Sequence, residues 1–562
     1  MHAVQYTKYR EIDYQQNRKL VPRLNDQRLK KLDVLPVHSG CVNSIAWDDV
    51  GRYLVSGSDD RFLVVCDPLN EPDRRVVARV PTVHRGNIFS AKFLPGAEAV
   101  ISCASDGSVI VSDIELADET GGSTSPDVYT CNAGATYEVC AVGNDPWTFI
   151  TCSEDGTIRW IDRRTKSRCP TQCTDDVIVR CQRAVNAVDV SIFRPHLLAA
   201  GCSDATVRLY DLRCVDKGTT DERGVIGLQS CFISPSRRPG RVTSVDISRI
   251  PNDDHILASL SSDSVYCFSV KEFASEEDKV SLSALTETDD QQSVRKVRLR
   301  GDWTDTGPRS RPSAASGQRQ AVDGDHGGSV DAVEENTGIS RLSQALTNLF
   351  SRQSAAGNES RATGSGEISE SQRRREECRS RLLEEARRRR EERRRQLADA
   401  LDAIPQHPIS SMYDGHRNAR TVLKQAAFWG TDHIVSGSDC GHVFIWNRHT
   451  GKVSNVLEAD RHVVNCVQPH PSLFVLATSG IDYDVKLWAP LAEESIDRTQ
   501  EIADLVERNK LMLEETRDTV TIPAAFMLRM IAAMNRYRRG KKRSLGERDN
   551  QAGEAEDPSD SE

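Results

Sequence analysis

Thr151-Cys-Ser-Glu-Asp-Gly-Thr-Ile-Arg-Trp-Ile-Asp162 and Ala200-Gly-Cys-Ser-Asp-Ala-Thr-Val-Arg-Leu-Tyr-Asp211 are two copies of one block, and that block decides the fold. Each copy opens on small residues, turns at an acid, and runs into an alternating strand that closes with Asp. Upstream it reads Ser56-Gly-Ser-Asp-Asp-Arg-Phe-Leu-Val-Val-Cys-Asp67 and Ser102-Cys-Ala-Ser-Asp-Gly-Ser-Val-Ile-Val-Ser-Asp113. Downstream it reads Ser436-Gly-Ser-Asp-Cys-Gly-His-Val-Phe-Ile-Trp-Asn447 and Thr478-Ser-Gly-Ile-Asp-Tyr-Asp-Val-Lys-Leu-Trp488, with a weaker copy at Ser259-Leu-Ser-Ser-Asp-Ser-Val-Tyr-Cys-Phe268. Uninterrupted copies recur every ~43–59 residues, the spacing of one supersecondary unit repeated along a chain. Asp or Gly stands at each turn because those residues tolerate the backbone of a tight strand-to-strand connection. A unit of a few strands cannot bury both its faces alone, so the units stack until the ring closes. Seven copies predict an all-β, seven-bladed propeller.

Period and block together resemble WD40 repeats. His38, His84, His416 and His462 each precede a further alternating strand. In a blade such a His hydrogen-bonds through the turn acid and a Ser toward the Trp, which satisfies buried polar groups. His38 with Asp60, His84 with Asp106, and His462 with Asp482 and Trp488 are therefore read as fold networks, with Asp155 and Asp204 the matching turn acids of copies three and four. A catalytic Ser-His-Asp reading fails on recurrence, since one active site does not repeat blade by blade. No phosphate-binding Gly loop, HExxH zinc motif or isolated activated nucleophile stands out, so neither enzyme activity nor a cofactor is expected. Leu32-Asp-Val-Leu-Pro-Val37 lies just before the first His, and the copy ending at Trp488 lacks a following outer strand. The early segment is expected to supply that strand and lock the ring.

Hydrophobic content of 38% and charged content of 28% leave room for a core and a large polar remainder. No run approaches the ~18 apolar residues of a membrane span, and Met1 to Arg10 lacks a signal-peptide apolar region. An intracellular protein of nucleus and cytoplasm, with no membrane partner, is expected. Many of the 16 cysteines, such as Cys66, Cys103, Cys152, Cys202 and Cys267, fall inside apolar runs and read as small buried hydrophobes with reduced thiols. Cys169, Cys173 and Cys181 form a tighter C-x3-C-x7-C group. No fourth Cys or His sits in that loop, so free thiols rather than a metal are expected there.

Blades 1–5 are expected over 32–270 and blades 6–7 over 412–490, preceded by an N-terminal helical segment at 1–31. Between them, 271–371 reads as a disordered insertion, because Asp302 to Gly366 is rich in Ser, Gly, Thr, Gln and acids and poor in aromatics. Inside it, Ile339 to Phe350 has helical apolar spacing and reads either as a docking helix or as a transient one. Residues 372–403 alternate Arg and Glu blocks, which support an exposed helix through pairs three and four apart. That helix reads as a solvated spacer rather than a nucleic-acid surface, since interleaved Glu residues break a phosphate-binding field. Residues 493–540 read as helical and broken at Pro523, with Ile502, Leu505 and Val506 on one face and Phe526, Met530 and Met534 on another. Arg536 to Arg543 is a basic cluster, either a nuclear signal or a solvated run, and 541–562 is a disordered tail.

Copies three and four carry something beyond the fold. One ends Ile161-Asp162-Arg163-Arg164 and the other Tyr210-Asp211-Leu212-Arg213, each with an Arg two residues after the closing Asp. The pair resembles the D-x-R boxes of the WD40 substrate receptors of cullin-4 RING ubiquitin ligases. The stretches His38 to Trp47, Asn87 to Pro95, Gly415 to Arg420, Ser436 to His442, His462 to Pro471, Ser479 to Asp484 and Met512 to Asp518 are also similar to one member of that family. The similarity covers roughly residues 30–270 and 412–537. The resemblance implies that Asp162, Arg164, Asp211 and Arg213 face the ligase adaptor, damaged-DNA-binding protein 1, while other surfaces recruit target proteins that the sequence does not name. Tyr6 to Lys31, with Leu20, Val21, Leu24 and Leu29, is expected to add a second adaptor contact. On the residues alone an alternative stays open, in which each Arg simply pairs with a blade Asp; a nuclear scaffold or transcription cofactor without a ligase role is the rival function. Two departures stand out. Ile161 replaces the aromatic that the family often has before Asp, and neither an Ile-Gln motif with basic spacing nor a Leu-x-x-Leu-Leu box is present, so calmodulin and hormone-receptor binding are not carried over.

Overall fold

The structure is a computed structural model that describes residues 26–282 apart from gaps at 97, 115–125, 170–172, 219–220, 222 and 237–239, together with 296–300, 305–310, 370–517 and 519–523. It divides into two units: 1–292, 306–312 and 369–513 form the first, and 293–305, 313–368 and 514–562 the second. In the first, seven sheets, antiparallel but for one added parallel strand on the second, are the seven blades of a propeller.

Blade 4 shows how the repeated block folds. Its strands Val185–Val190 and Leu197–Cys202 are buried at every residue, and Thr206–Asp211 at all but the last. Such continuous burial follows from covering both faces of a sheet. Successive side chains point to opposite faces. Val188, Leu198 and Tyr210 therefore meet Cys140, Ile150 and Ile158 of blade 3, while Ala187, Ala199 and Val207 meet Val242, Ile256 and Phe268 of blade 5. The innermost strand of six blades slips register by one residue near its start, as between Val42 and Ser44 or Val185 and Ala187. Such bulges add the local twist that a strand at the propeller axis needs. At the block turn, Gly107 and Gly156 sit at φ +80°, and Ala205 takes the same left-handed region at +63° without being glycine.

Strand β1 (Leu29–Leu35) closes the ring. It pairs antiparallel with Val485–Pro490, Leu35 opposite Val485 and Leu29 opposite Pro490. This corrects the expected helical segment at its end: residues 29–31 are strand, and Leu29 is buried against Trp429, Leu457 and Trp488, out of reach of a docking partner. Leu20, Val21 and Leu24 lie outside the described residues.

The insertion opens inside blade 5 rather than after it. Strand β2 (Ser411–Tyr413) pairs with Val265–Cys267 and supplies that blade's fourth strand, so blade 6 begins at Ala426 and not at 412. Three residues are too short for a period-two signal, which is why the sequence did not show them. Helix α1 (Glu370–Asp402) occupies the Arg/Glu-rich run, but its last turns are anchored. Leu397, Ala398 and Leu401 bury against Cys231, Ile233 and Leu282. The backbone after it then bonds to the outer strand of blade 4, with Cys231 N–H to Pro405 O at 2.9 Å and His407 N–H to Cys231 O at 2.9 Å. An unpaired sheet edge is covered in this way. Thr306 to Ser310, expected within the disordered stretch, also lies on the ring, with Gly307 N–H 2.9 Å from Asp439 O. Ile339 to Phe350 falls outside the described residues.

Helix α2 (Thr499–Arg517) begins later than 493, at a turn where Asp497 Oδ1 accepts the Thr499 N–H at 3.0 Å. Ile502, Leu505 and Val506 share its buried face and pack near Phe444 and Trp446 of blade 6. In the second unit, Thr519–Pro523 is a strand parallel to Lys296–Arg300, so Pro523 ends a strand and does not break a helix. Its β-branched run Thr519-Val-Thr-Ile522 suits that geometry. Phe526, Met530, Met534 and the basic cluster lie outside the described residues.

Candidate protein-docking face

The polar residues inside the blades are closed on themselves. His38 Nε2 lies 2.7 Å from Ser56 Oγ and its Nδ1 3.0 Å from Asp60, and Asp60 also accepts the N–H groups of Ser39 and Phe62, each at 3.0 Å. Burial holds the His38 imidazole below its ordinary pKa against the pull of Asp60. His84 reaches Asp106 through a relay: its Nδ1 is 2.6 Å from Ser108 Oγ, and that hydroxyl donates to Asp106 at 2.6 Å. Thr157 and Thr206 stand where Ser108 does, each donating to its turn acid, Asp155 or Asp204, at 2.6 Å. Asp204 also takes the fully buried guanidinium of Arg208 at 2.7 Å.

Blade 7 departs from the expected chain of His462, Asp482 and Trp488, and the three are not joined. His462 Nδ1 faces Thr306 Oγ1 at 3.2 Å, Trp488 Nε1 donates to Thr478 Oγ1 at 3.0 Å, and Asp482 faces Lys486 and the Arg461 N–H. A cation on the third strand has drawn the turn acid away from the histidine. Blade 6 departs further. His416 sits edge-on to Trp446 at 5.6 Å with neither ring nitrogen hydrogen-bonded among the described residues, and burial pushes its pKa down to about 4. The acid of that blade, Asp439, is taken instead by Lys424 at 3.0 Å, both side chains fully buried. These polar groups hold the blades together, which is an architectural role.

The two Asp–Arg boxes differ by facing outward, and they share one geometry. Arg164 forks onto Asp162, Nε to Oδ1 at 3.0 Å and Nη2 to Oδ2 at 2.9 Å, while its N–H reaches Oδ1 at 2.9 Å. Arg213 does the same with Asp211 at 2.9, 2.6 and 2.9 Å. Hydrogen bonding from Arg213 lowers the Asp211 carboxyl to about 2, and Asp162 is lowered by Arg164 in the same way. Each carboxylate thus stays ionised and fixes the fork, yet the Arg side chains remain 56% and 68% exposed. The alternative kept open by the sequence, that each Arg pairs with its own Asp, holds; pairing and exposure coexist. Ile161 makes no difference to the clamp, because it and Tyr210 are both fully buried.

Topology supplies neighbours that the sequence reading missed. In an antiparallel blade the loop between the first two strands emerges beside the end of the third. Thr148 stands opposite Asp162, and Leu197 opposite Asp211. The loops 142–147 and 191–196 therefore lie on the same face as the boxes, and they present Trp147, Ile192 and Phe193 at 47%, 55% and 51% exposure. The two loops adjoin, since a Cβ added at Gly143 would lie 3.4 Å from Pro195. Arg163 spans the side of this patch, pairing with Asp127 at 2.7 Å and stacking 5.9 Å from the Trp147 ring. Exposed Trp with presented Arg is the composition of an interface hot spot. In the sequence, Trp147 and Ile192-Phe193 carried no motif, and only their place in short loops between strands could have marked them.

A WD40 family match (WD domain, G-beta repeat) falls on residues 29–67, which span β1 and the first three strands of blade 1. The fold is that of a WD40 propeller. Along most of its length the chain is also similar to human DDB1- and CUL4-associated factor 6, 28% identical with 95% of this chain and 96% of the relative covered. Similarity extends to mouse WD and tetratricopeptide repeats protein 1, 26% identical over 84% of this chain and 86% of that one. Protein ALTERED SEED GERMINATION 2 of Arabidopsis thaliana is 23% identical over 88% of this chain and 91% of its own length.

Proposed function

We propose that this WD40 propeller is a substrate receptor of a cullin-4 RING ubiquitin ligase. The observation that carries the proposal is the matched pair of clamped, exposed arginines in consecutive blades, set beside Trp147, Ile192 and Phe193 on one face. The name of the human relative, which associates that protein with DDB1 and CUL4, supports the reading. The adaptor, damaged-DNA-binding protein 1, docks on the face of blades 3 and 4. Arg164 and Arg213 each keep donors free of their own Asp, and Arg offers them in a planar, permanently charged array suited to carboxylates and carbonyls. The remaining surfaces recruit target proteins. The receptor performs no transfer chemistry; it raises the concentration of a bound target near the ligase.

Affinity purification of the full chain and of an Arg164→Ala/Arg213→Ala variant tests this. The wild type is expected to retain the adaptor and the double variant to lose it. Equal recovery from both, or no adaptor with the wild type, leaves the rival reading of a scaffold or transcription cofactor without a ligase role.

A further inference from the structure

The connection that carries Arg164 continues into a cluster of sulfur atoms that the sequence spacing misassigned. Cys169 and Cys173 do not meet Cys181, whose thiol faces Tyr210 and Arg208 in blade 4. They meet Cys131, from the end of blade 2, and the three sulfurs lie within 4.8 Å of one another. Cys169 Sγ is 3.2 Å from Cys173 Sγ, and Asp176 Oδ2 is 3.8 Å from Cys173 Sγ. We propose that Cys131, Cys169 and Cys173, with the Asp176 carboxylate as fourth ligand, form a binding site for a thiophilic divalent cation of the zinc type.

Geometry and charge both fit. Zinc–sulfur bonds of about 2.3 Å in a tetrahedron put ligand sulfurs about 3.8 Å apart, so the three thiols need to shift only by tenths of an ångström to about one ångström. The Asp176 carboxylate, which stands beside Cys173, has to swing further in to complete the set. The backbone is already held for it. The buried guanidinium of Arg159 donates to Cys131 O at 3.0 Å and to Cys173 O at 2.7 Å, and Arg168–Cys169 pairs in parallel with Val128–Tyr129. Around the sulfurs stand two cations. Lys166 Nζ is 3.4 Å from Cys173 Sγ and paired with Asp176, and Arg159 Nη1 is 3.9 Å from the same sulfur. Three thiolates and a carboxylate around a divalent ion leave a surplus of two negative charges, which Arg159 and Lys166 offset. On binding, the thiols give their protons to solvent and no redox change occurs. Lys166 exchanges its contact with Asp176 for one with the negatively charged metal cluster.

A bound ion would tie the connection bearing Arg164 to the outer edge of blade 2. The site does not depend on the ligase reading, because its test measures metal rather than adaptor. The full chain purified with zinc supplied is expected to hold about one tightly bound zinc by elemental analysis. A Cys131→Ser/Cys173→Ser variant is expected to hold at least tenfold less, and exposed Cys214→Ser to match the wild type. Lys166→Met, which removes an outer-shell partner, is expected to weaken zinc by roughly tenfold or more. Alkylation mapping of the wild type gives a reading that no variant's folding can confound: zinc shields Cys173, the half-buried member of the three, and a chelator exposes it. Absence of zinc from the wild type overturns the site, as does zinc retained by the double variant or alkylation indifferent to the chelator. Formation of a Cys169–Cys173 disulfide under mild peroxide, with zinc giving no protection, overturns it as well.

Discussion

Blade 6 and blade 4 each set an Asp against a cation, and the two pairs have opposite fates. Lys424 and Asp439 meet at 3.0 Å with neither side chain exposed, whereas Arg213 and Asp211 meet at 2.6 Å with the Arg side chain 68% exposed. Removing water from the first pair makes each charge depend on the other. Burial opposes ionisation of Asp439, and Lys424, Arg417 and the Ala419 N–H overcome it, holding the carboxyl below its ordinary pKa. The second pair is bathed in solvent and contributes little to stability. Its effect is to aim an arginine. The same chemistry is therefore architecture inside the ring and, in the function proposed, recognition on its face, and burial separates the two.

The sharpest way to break this comparison is to remove one partner of each pair. Asp439→Ala strands the Lys424 ammonium in the core and is expected to cost about 3–5 kcal/mol; urea unfolding reads it, and a loss under about 1 kcal/mol would show that water reaches the pair. Arg164→Ala/Arg213→Ala is expected to leave the unfolding midpoint in place while weakening adaptor binding by roughly a hundredfold. A shifted midpoint with unchanged binding would reverse the assignment of architecture and recognition.

Titration sharpens the comparison from another side. His416 is held neutral in the fold, with its pKa lowered to about 4 by burial. The unfolded chain binds that proton first, so stability is complete above an unfolded pKa of about 6.5 and is lost as pH falls toward 4. The loss by pH 4.5 is expected to be about 2–3 kcal/mol. His416→Phe should remove that part of the slope in unfolding curves taken at pH 7 and 4.5, and an unchanged slope would place the sensitive group elsewhere. The smallest effect is expected at Ala205, which holds φ +63°. Ala205→Gly relieves the left-handed strain and should raise stability by at most about 1 kcal/mol, with adaptor binding unaffected. Its thermal melt would then mark a blade turn as fold alone.

Much of this was written in the repeats. The block around Asp155 and Asp204 announced its strands because β-rich alternation and an acidic turn are local signals. The partnership of β1 with the last blade followed from counting strands. The expected link between His462 and Asp482 failed because Lys486, four residues on along the strand that leaves the turn, competes for the acid. The lysine stood in the quoted block, but which partner the acid takes depends on how the folded turn aims it. The cysteine spacing misled for a related reason: sequence proximity joined Cys181 to Cys169 and Cys173, while the parallel pairing of Arg168–Cys169 with Val128–Tyr129 brings up Cys131 from another blade. Trp147, Ile192 and Phe193 were silent, since exposure is a property of the folded ring.

By itself the sequence determined the seven-fold repeat, the closure by an N-terminal strand and the two Asp–Arg boxes, because each block is a local pattern of about a dozen residues and the closing strand follows from the one the last copy lacks. Only the tertiary structure decided which of the recurring Asp, His and Cys side chains are enclosed and which are presented. That choice depends on neighbours from distant blades, which remove water from the Lys424–Asp439 pair, leave it around Arg164 and Arg213, and gather three sulfurs that the chain keeps apart.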